Sequence, residues 1–150
     1  MKIAIGCDHG GIGLKAVVAA VIEELGHTLV DQGCFSNDSV DYPDFADKVC
    51  GLVETGVCER GVLICGTGIG MSMAANRRPC IRAALVHEAY SARMSREHND
   101  ANVLCLGARV LGPGLAEDLV RVWLTTAFAG GRHQLRIAKF SDLEGVSCPF

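Results

Sequence analysis

Several things are missing from this 150-residue sequence. No apolar run is long enough to cross a bilayer, which takes about 20 residues; the stretch 16–22 is bracketed by Lys15 and Glu23. Charge of one sign is not in excess. The formal net charge is −3, which gives no reason to expect nucleic acid or an anionic membrane surface as a partner. Cys7, Cys34, Cys50, Cys58, Cys65, Cys80, Cys105 and Cys148 include no C-x-x-C pair, which weakens zinc-knuckle and thioredoxin readings. No G-K-[ST] follows a glycine-rich loop, so P-loop chemistry is out. Repeats, low-complexity segments and linkers are absent too. Asp8 ends the first apolar run too early for a secretory leader. Cys7, Cys65 and Cys105 fall in or at the end of expected strands, so the cysteines read as small buried hydrophobes in a reducing compartment and not as disulfide partners. A cytoplasmic protein is expected.

What is present is enough for a folded core. Hydrophobic residues make up 49% and charged residues 21% of the chain, consistent with one domain over 1–150. The patterning predicts strands over 2–7, 28–31, 62–65, 82–86 and 103–107. Between and after them it predicts helices over 14–25, 45–54, 71–76, 88–97, 115–128 and 134–143. Strands that alternate with helices and read as continuous apolar runs call for a parallel sheet covered on both faces. The expected fold class is therefore α/β, a three-layer α/β/α sandwich around a five-stranded parallel, Rossmann-like sheet.

The stretch 61–77 is the most informative. The apolar run Val62, Leu63, Ile64 delivers Cys65 to a strand's carboxyl end, and Gly66, Thr67, Gly68 and Gly70 lead into a helix. Ligands of open α/β sheets bind in that crevice. Glycine lets backbone N–H groups approach an anion, and a helix N-terminus adds partial positive charge. Such a place favours a thiolate and stabilises a developing oxyanion. Cys65 taken alone reads equally well as a buried structural thiol.

Dinucleotide binding is the first alternative. Asp31 lies where a ribose-binding acid would sit, but the first strand leads into Gly6-Cys7-Asp8-His9-Gly10-Gly11-Ile12-Gly13, which lacks G-x-G-x-x-G and puts charge where a pyrophosphate needs bare backbone. A different constellation survives. Asp8 and His9 follow the first strand, Cys65 and Thr67 the third, and His98 with Asn99 ends the helix after the fourth. In a parallel sheet the first two sets share one edge. Singly these residues have structural readings: Asp8 as a cap for the helix near Leu14, His98 as a solvated helix end. Together they supply a base, an acid, an amide and an anion pocket.

These motifs closely resemble the type B ribose-5-phosphate isomerases, relatives of the bacterial galactose-6-phosphate and allose-6-phosphate isomerases. The matching stretches are Gly6-Cys7-Asp8-His9-Gly10, Asp41-Tyr42-Pro43, Cys65-Gly66-Thr67-Gly68-Ile69-Gly70, Ala74-Ala75-Asn76, Ser95-Arg96-Glu97-His98-Asn99-Asp100 and Gly130-Gly131-Arg132-His133-Gln134. Residues 146–150 match nothing and read as a tail. The resemblance implies a homodimer whose sites are shared across the interface, with a dimer of dimers allowed, and a phosphosugar substrate handled without metal or cofactor. It implies Cys65 as the carbon base, with Thr67 and the backbone of Gly66, Gly68, Ile69 and Gly70 holding the enediolate oxygens. His98, with Asp8 and Asn99 nearby, would open the sugar ring, and Tyr42 would line the pocket. His9, Arg109, Arg132 and Arg136 would grip the phosphate, some of them from the partner subunit. One branch of the family uses a glutamate at the position of Met71; a thioether takes no proton, so the chain falls in the cysteine branch.

The chemistry is consistent with that assignment. An unperturbed thiol with a pKa of about 8.5 is only about 3% thiolate at pH 7, and lowering it by one and a half units takes about 2 kcal/mol. That is the upper end of what a helix N-terminus supplies, so a cation or a Thr67 hydrogen bond has to contribute. Arg132 and Arg136 share a helix face if the last helix begins early enough, and two guanidinium groups suit a phosphate dianion. The expected function is interconversion of ribose 5-phosphate and ribulose 5-phosphate. A six-carbon phosphosugar isomerase is the runner-up, and a non-catalytic phosphosugar-binding module is the rival from another class.

Overall fold

The computed structural model describes residues 1–141 and Cys148. Among these residues the strands are β1 (Lys2–Cys7), β2 (Thr28–Asp31), β3 (Arg60–Cys65), β4 (Ala83–Leu85) and β5 (Val103–Gly107). The helices are α1 (Ile12–Glu24), α2 (Tyr42–Glu54), α3 (Ile69–Ala75), α4 (Ala89–Glu97), α5 (Pro113–Thr125) and α6 (Arg132–Ser141). The five strands form one parallel sheet in the order β2-β1-β3-β5-β4, the α/β architecture expected. The chain winds outward from β1 to β2 and then returns to β3 on the other side. That makes the β1/β3 junction the switch point, where a crevice opens at the carboxyl ends of the strands.

Strand alternation builds two cores. Ile3, Ile5, Val62, Ile64, Leu104 and Leu106 pack with α1, α5 and Ala92 of α4. Ala4, Leu63, Cys65, Val103 and Cys105 pack with Val49 and Cys50 of α2 and Met71 of α3. Both faces are apolar, which is why the strands read as runs rather than as alternations.

The helix ends differ from expectation for local reasons. Pro43 sits in the first turn and lets α2 start at Tyr42. Glu88 is the N-cap of α4 and not its first residue, its carboxylate accepting from Tyr90 N and Ser91 N, each at 2.6 Å. Helix α6 begins at Arg132, two residues before the expected start at Gln134. Its expected end at Leu143 lies outside the described residues, as does the expected tail except for Cys148.

Asp31, the acid that a nucleotide ribose would use, is taken by Lys15 Nζ at 2.7 Å, in keeping with the rejection of dinucleotide binding. One sequence reading is corrected. The cysteines are not all free: Cys80 is bonded to Cys148 with Cα atoms 5.4 Å apart, across 68 residues. A spacing rule finds pairs that are close in sequence, and this one is made by the fold. Cys7, Cys34, Cys50, Cys58, Cys65 and Cys105 are free and buried. Burial pushes the Cys7 thiol up to about 11 and the Cys50 thiol up to about 12, so both stay protonated and inert at neutral pH. No helix of the described residues is long and apolar enough to cross a membrane.

Candidate active site

The register pairs Cys7 with Ile64 and Cys65 with Gly107, so β1, β3 and β5 end together at the switch point. Cys65 is 5% exposed. After it the chain turns sharply through Gly68, whose φ is +77°. A Cβ there would lie 2.5 Å from Leu85 Cδ1 and 2.9 Å from the Leu106 carbonyl carbon, so only glycine fits. The turn aims the Gly68 N–H back at Cys65 Sγ, donor to acceptor 3.1 Å. A thiolate gains more from that bond than a thiol does. Thr67 Oγ1 accepts from Ile69 N at 3.3 Å as α3 begins. Because α3 has only seven residues, this directed amide matters more than any macrodipole. The Tyr42 ring lies on Gly70, where a Cβ would come within 2.7 Å of Cζ.

The β1 end adds two groups, Asp8 and His9, and the β5 end adds Arg109. Asp8 Oδ1 accepts from Gly10 N at 2.9 Å and caps the short 3-10 turn His9–Gly11, not α1 at Leu14. Asp8 N donates to Ile64 O at 3.1 Å, which ties this turn to β3. His9 Nδ1 accepts from Val40 N at 3.3 Å; in the neutral ring this assigns the proton to Nε2. Arg109 follows β5, donates its backbone N–H to Gly66 O at 2.9 Å and runs its side chain over Gly66 toward Gly10. Asp8, His9, Tyr42, Cys65, Gly66, Thr67, Gly68, Ile69, Gly70 and Arg109 therefore share one crevice in one chain.

The remaining candidates stand at the opposite edge. Helix α4 runs from the carboxyl end of β4 back to the amino end of β5, so His98 and Asn99 lie beside the strand starts. Asn99 O accepts from Arg82 Nε at 3.2 Å. The pairs Gly61↔Val103 and Cys65↔Gly107 are four residues apart, a rise of about 13 Å at roughly 3.3 Å per residue. One chain therefore does not bring His98 or Asn99 to Cys65. Arg132 and Arg136 share the exposed face of α6 and belong to this second group, because Ala129 N donates to Glu97 O at 3.0 Å and holds the approach to α6 against the end of α4.

The sequence reading passed over His133. Its ring is stacked on that of His98, with centroids 4.1 Å apart and planes 6° apart. Its pKa is lowered, first by loss of solvent and then by the positive charge of His98, Arg132 and Arg136. The sequence signal was only its place inside the Gly130–Gln134 motif. Beside Asn99 lies a cavity of about 510 Å³ whose walls include Asn76, Arg78, Arg82 and Phe140, away from Cys65. Among the described residues no three His, Cys, Asp or Glu side chains cluster as a metal site requires.

Known proteins share this fold and much of this sequence. The family described as Ribose/Galactose Isomerase matches residues 3–140. The chain is 46% identical over 143 residues to the ribose-5-phosphate isomerase B of Escherichia coli, covering 95% of this chain and 96% of that one. Its structure is similar to that of Clostridium thermocellum ribose-5-phosphate isomerase B, with TM-score 0.93 and 53% identity over 96% of this chain and 97% of that one. It is similar as well to type B ribose 5-phosphate isomerase of Trypanosoma brucei, with TM-score 0.91 and 43% identity over 93% and 96% of the two chains.

Proposed function

The chain belongs to the ribose/galactose isomerase family, and on that footing we propose that it interconverts D-ribose 5-phosphate and D-ribulose 5-phosphate through a cis-enediolate. The observation that carries the chemistry is the Gly68 N–H aimed at a buried Cys65 Sγ, 3.1 Å away, at the switch point of the sheet. Binding a phosphosugar requires no carbon base; isomerising one does.

In the open-chain aldose, Cys65 takes the proton from C2. The electron pair of that C–H bond becomes the C1–C2 double bond, and the carbonyl electrons move onto O1. The Thr67 hydroxyl and the amides of the Gly66–Gly70 loop stabilise the two adjacent oxygens of the enediolate. The proton on O2 transfers to O1, and the thiol returns its proton to C1, leaving the carbonyl at C2. One carbon is reduced as its neighbour is oxidised, so the step is redox-neutral within the substrate. His9, through Nε2, and Arg109 hold the phosphate from the Cys65 side, and Arg132 with Arg136 grip it from the other. His98, assisted by Asn99 and Asp8, moves the proton that opens the furanose, and Tyr42 walls the pocket.

That division of labour calls for a second copy. The His98 edge of one molecule faces the Cys65 edge of its partner, and a two-fold axis makes both sites complete at once. Exposed apolar side chains flank both groups: Ile69 and Met73 on α3, Leu135 and Phe140 on α6. The protein is then a homodimer, and the cytoplasm, where ribose 5-phosphate is metabolised, is the compartment proposed for it.

Mixing two dead variants tests the scheme. Cys65→Ala and His98→Asn each lose isomerisation of ribose 5-phosphate, assayed without added metal, and Cys65→Ala also loses exchange of the C2 proton with deuterium. Co-refolded in equal amounts, they recover about a quarter of parental activity, because half the dimers are mixed and each has one intact site. No recovery means that each site lies within one chain. Faster turnover of six-carbon phosphosugars than of ribose 5-phosphate would replace the substrate.

A further inference from the structure

His98 closes α4 with φ −102° and ψ −35°, and its ring makes no hydrogen bond among the described residues. Glu97 Oε1 lies 3.8 Å from Nε2, beyond hydrogen-bond length. A catalytic ring of this kind needs something else to hold its plane. That something is His133, flat against it at 4.1 Å. The contact is built by backbone. Gly130 and Gly131, with φ of +64° and +57°, turn the chain after α5. Ala129 N binds Glu97 O, and His133 N donates to Gly130 O at 3.1 Å. The first turn of α6 is thereby delivered onto the last residue of α4. His133 itself is 8% exposed, whereas the His98 side chain is 37% exposed and available to a substrate.

We infer that His133 is a positioning residue, whose stacked ring fixes the plane in which His98 meets the furanose. It rests on the ring-opening role proposed for His98. The charged groups facing the pair are Glu97 on α4 and Arg132 and Arg136 on α6. Loss of solvent and the surrounding cations keep His133 a neutral imidazole at pH 7, so it serves as a flat apolar face and leaves the proton transfer to His98. Catalytic groups must be held within about 10–20° of their working orientation, and a free imidazole on a helix end is not.

Three measurements on the parent, His133→Ala and His133→Phe test this. Removing the stack lowers kcat from ribose 5-phosphate roughly ten- to a hundredfold, with a smaller loss from ribulose 5-phosphate, which needs no ring opening. Phenylalanine, keeping a flat face, restores most of the loss. Inhibition by inorganic phosphate, which reads Arg132 and Arg136 on the same helix, is unchanged in both variants. In proton NMR the His98 Hε1 resonance loses its ring-current shift in the alanine variant and keeps one in the phenylalanine variant. The inference is overturned if His133→Ala retains parental kcat, if phenylalanine is as slow as alanine, or if phosphate inhibition weakens in step with kcat. A parent that does not isomerise ribose 5-phosphate would instead overturn the function itself.

Discussion

Replacing Gly68 with alanine tests the geometry of the Cys65 loop at its tightest point. The φ of +77° is left-handed, which costs an L-residue about 1–2 kcal/mol. The new methyl would also meet Leu85 Cδ1 at 2.5 Å and the Leu106 carbonyl carbon at 2.9 Å. The leucine tip can rotate, but the Leu106 backbone belongs to β5, so the loop must move; such overpacking costs about 1–3 kcal/mol. The sum, about 2–5 kcal/mol, lowers Tm by roughly 4–20 °C in a domain of this size. Moving the loop also turns the Gly68 N–H off Cys65 Sγ, and losing one oriented donor of this kind lowers kcat about 10²–10³-fold. Gly13, in α1, is the control, because an added methyl there would have nothing within 4 Å: Gly13→Ala holds or raises stability by up to about 1 kcal/mol. The assays are differential scanning calorimetry and initial rates from ribose 5-phosphate. A Gly68→Ala protein that melts within about 2 °C of the parent and keeps kcat within about threefold would refute both halves of the reasoning.

Ring opening makes His98→Asn asymmetric. Initial rates from ribose 5-phosphate, a closed furanose, collapse toward the open-chain fraction, while rates from ribulose 5-phosphate, whose ring-closing oxygen carries the phosphate, fall much less; equal losses would move His98 to the enediolate step or to the fold. Stability follows a dome in pH. On the acid side, His133 and His27 have lowered folded-state pKa values, so the unfolded chain binds protons first and stability falls as pH drops through about 6.5. On the alkaline side Cys7 and Cys50 keep their protons to about 11 and about 12 while the unfolded thiols ionise near 8.5–9, so each tilts stability downward by up to about 1.4 kcal/mol per pH unit above that. Urea titrations between pH 5 and pH 10.5, run under one redox condition, read both shoulders; a flat profile contradicts the burial of these groups.

Much of this protein was legible from one dimension. The alternation of apolar runs with helical patterns specified the parallel sandwich, because a strand buried on both faces must be apolar throughout and a crossover helix must separate parallel neighbours. The Cys65–Gly70 loop was legible for a similar reason: the left-handed turn at Gly68 is a local demand, met by residue type at fixed spacing. Long-range pairings were not legible. Lys15 reaches Asp31 across 16 residues, and Cys80 found Cys148 across 68. His98 followed a strand–helix unit much as Cys65 did, yet strand direction put it about 13 Å of sheet away, at the opposite edge. His133 gained its role only when Gly130 and Gly131 turned α6 onto α4. Periodicity and turn chemistry are written within a few residues of each group they govern. Which edge a helix end reaches, and what it touches there, depends on strand order and direction across the whole sheet, and only the folded chain decides that.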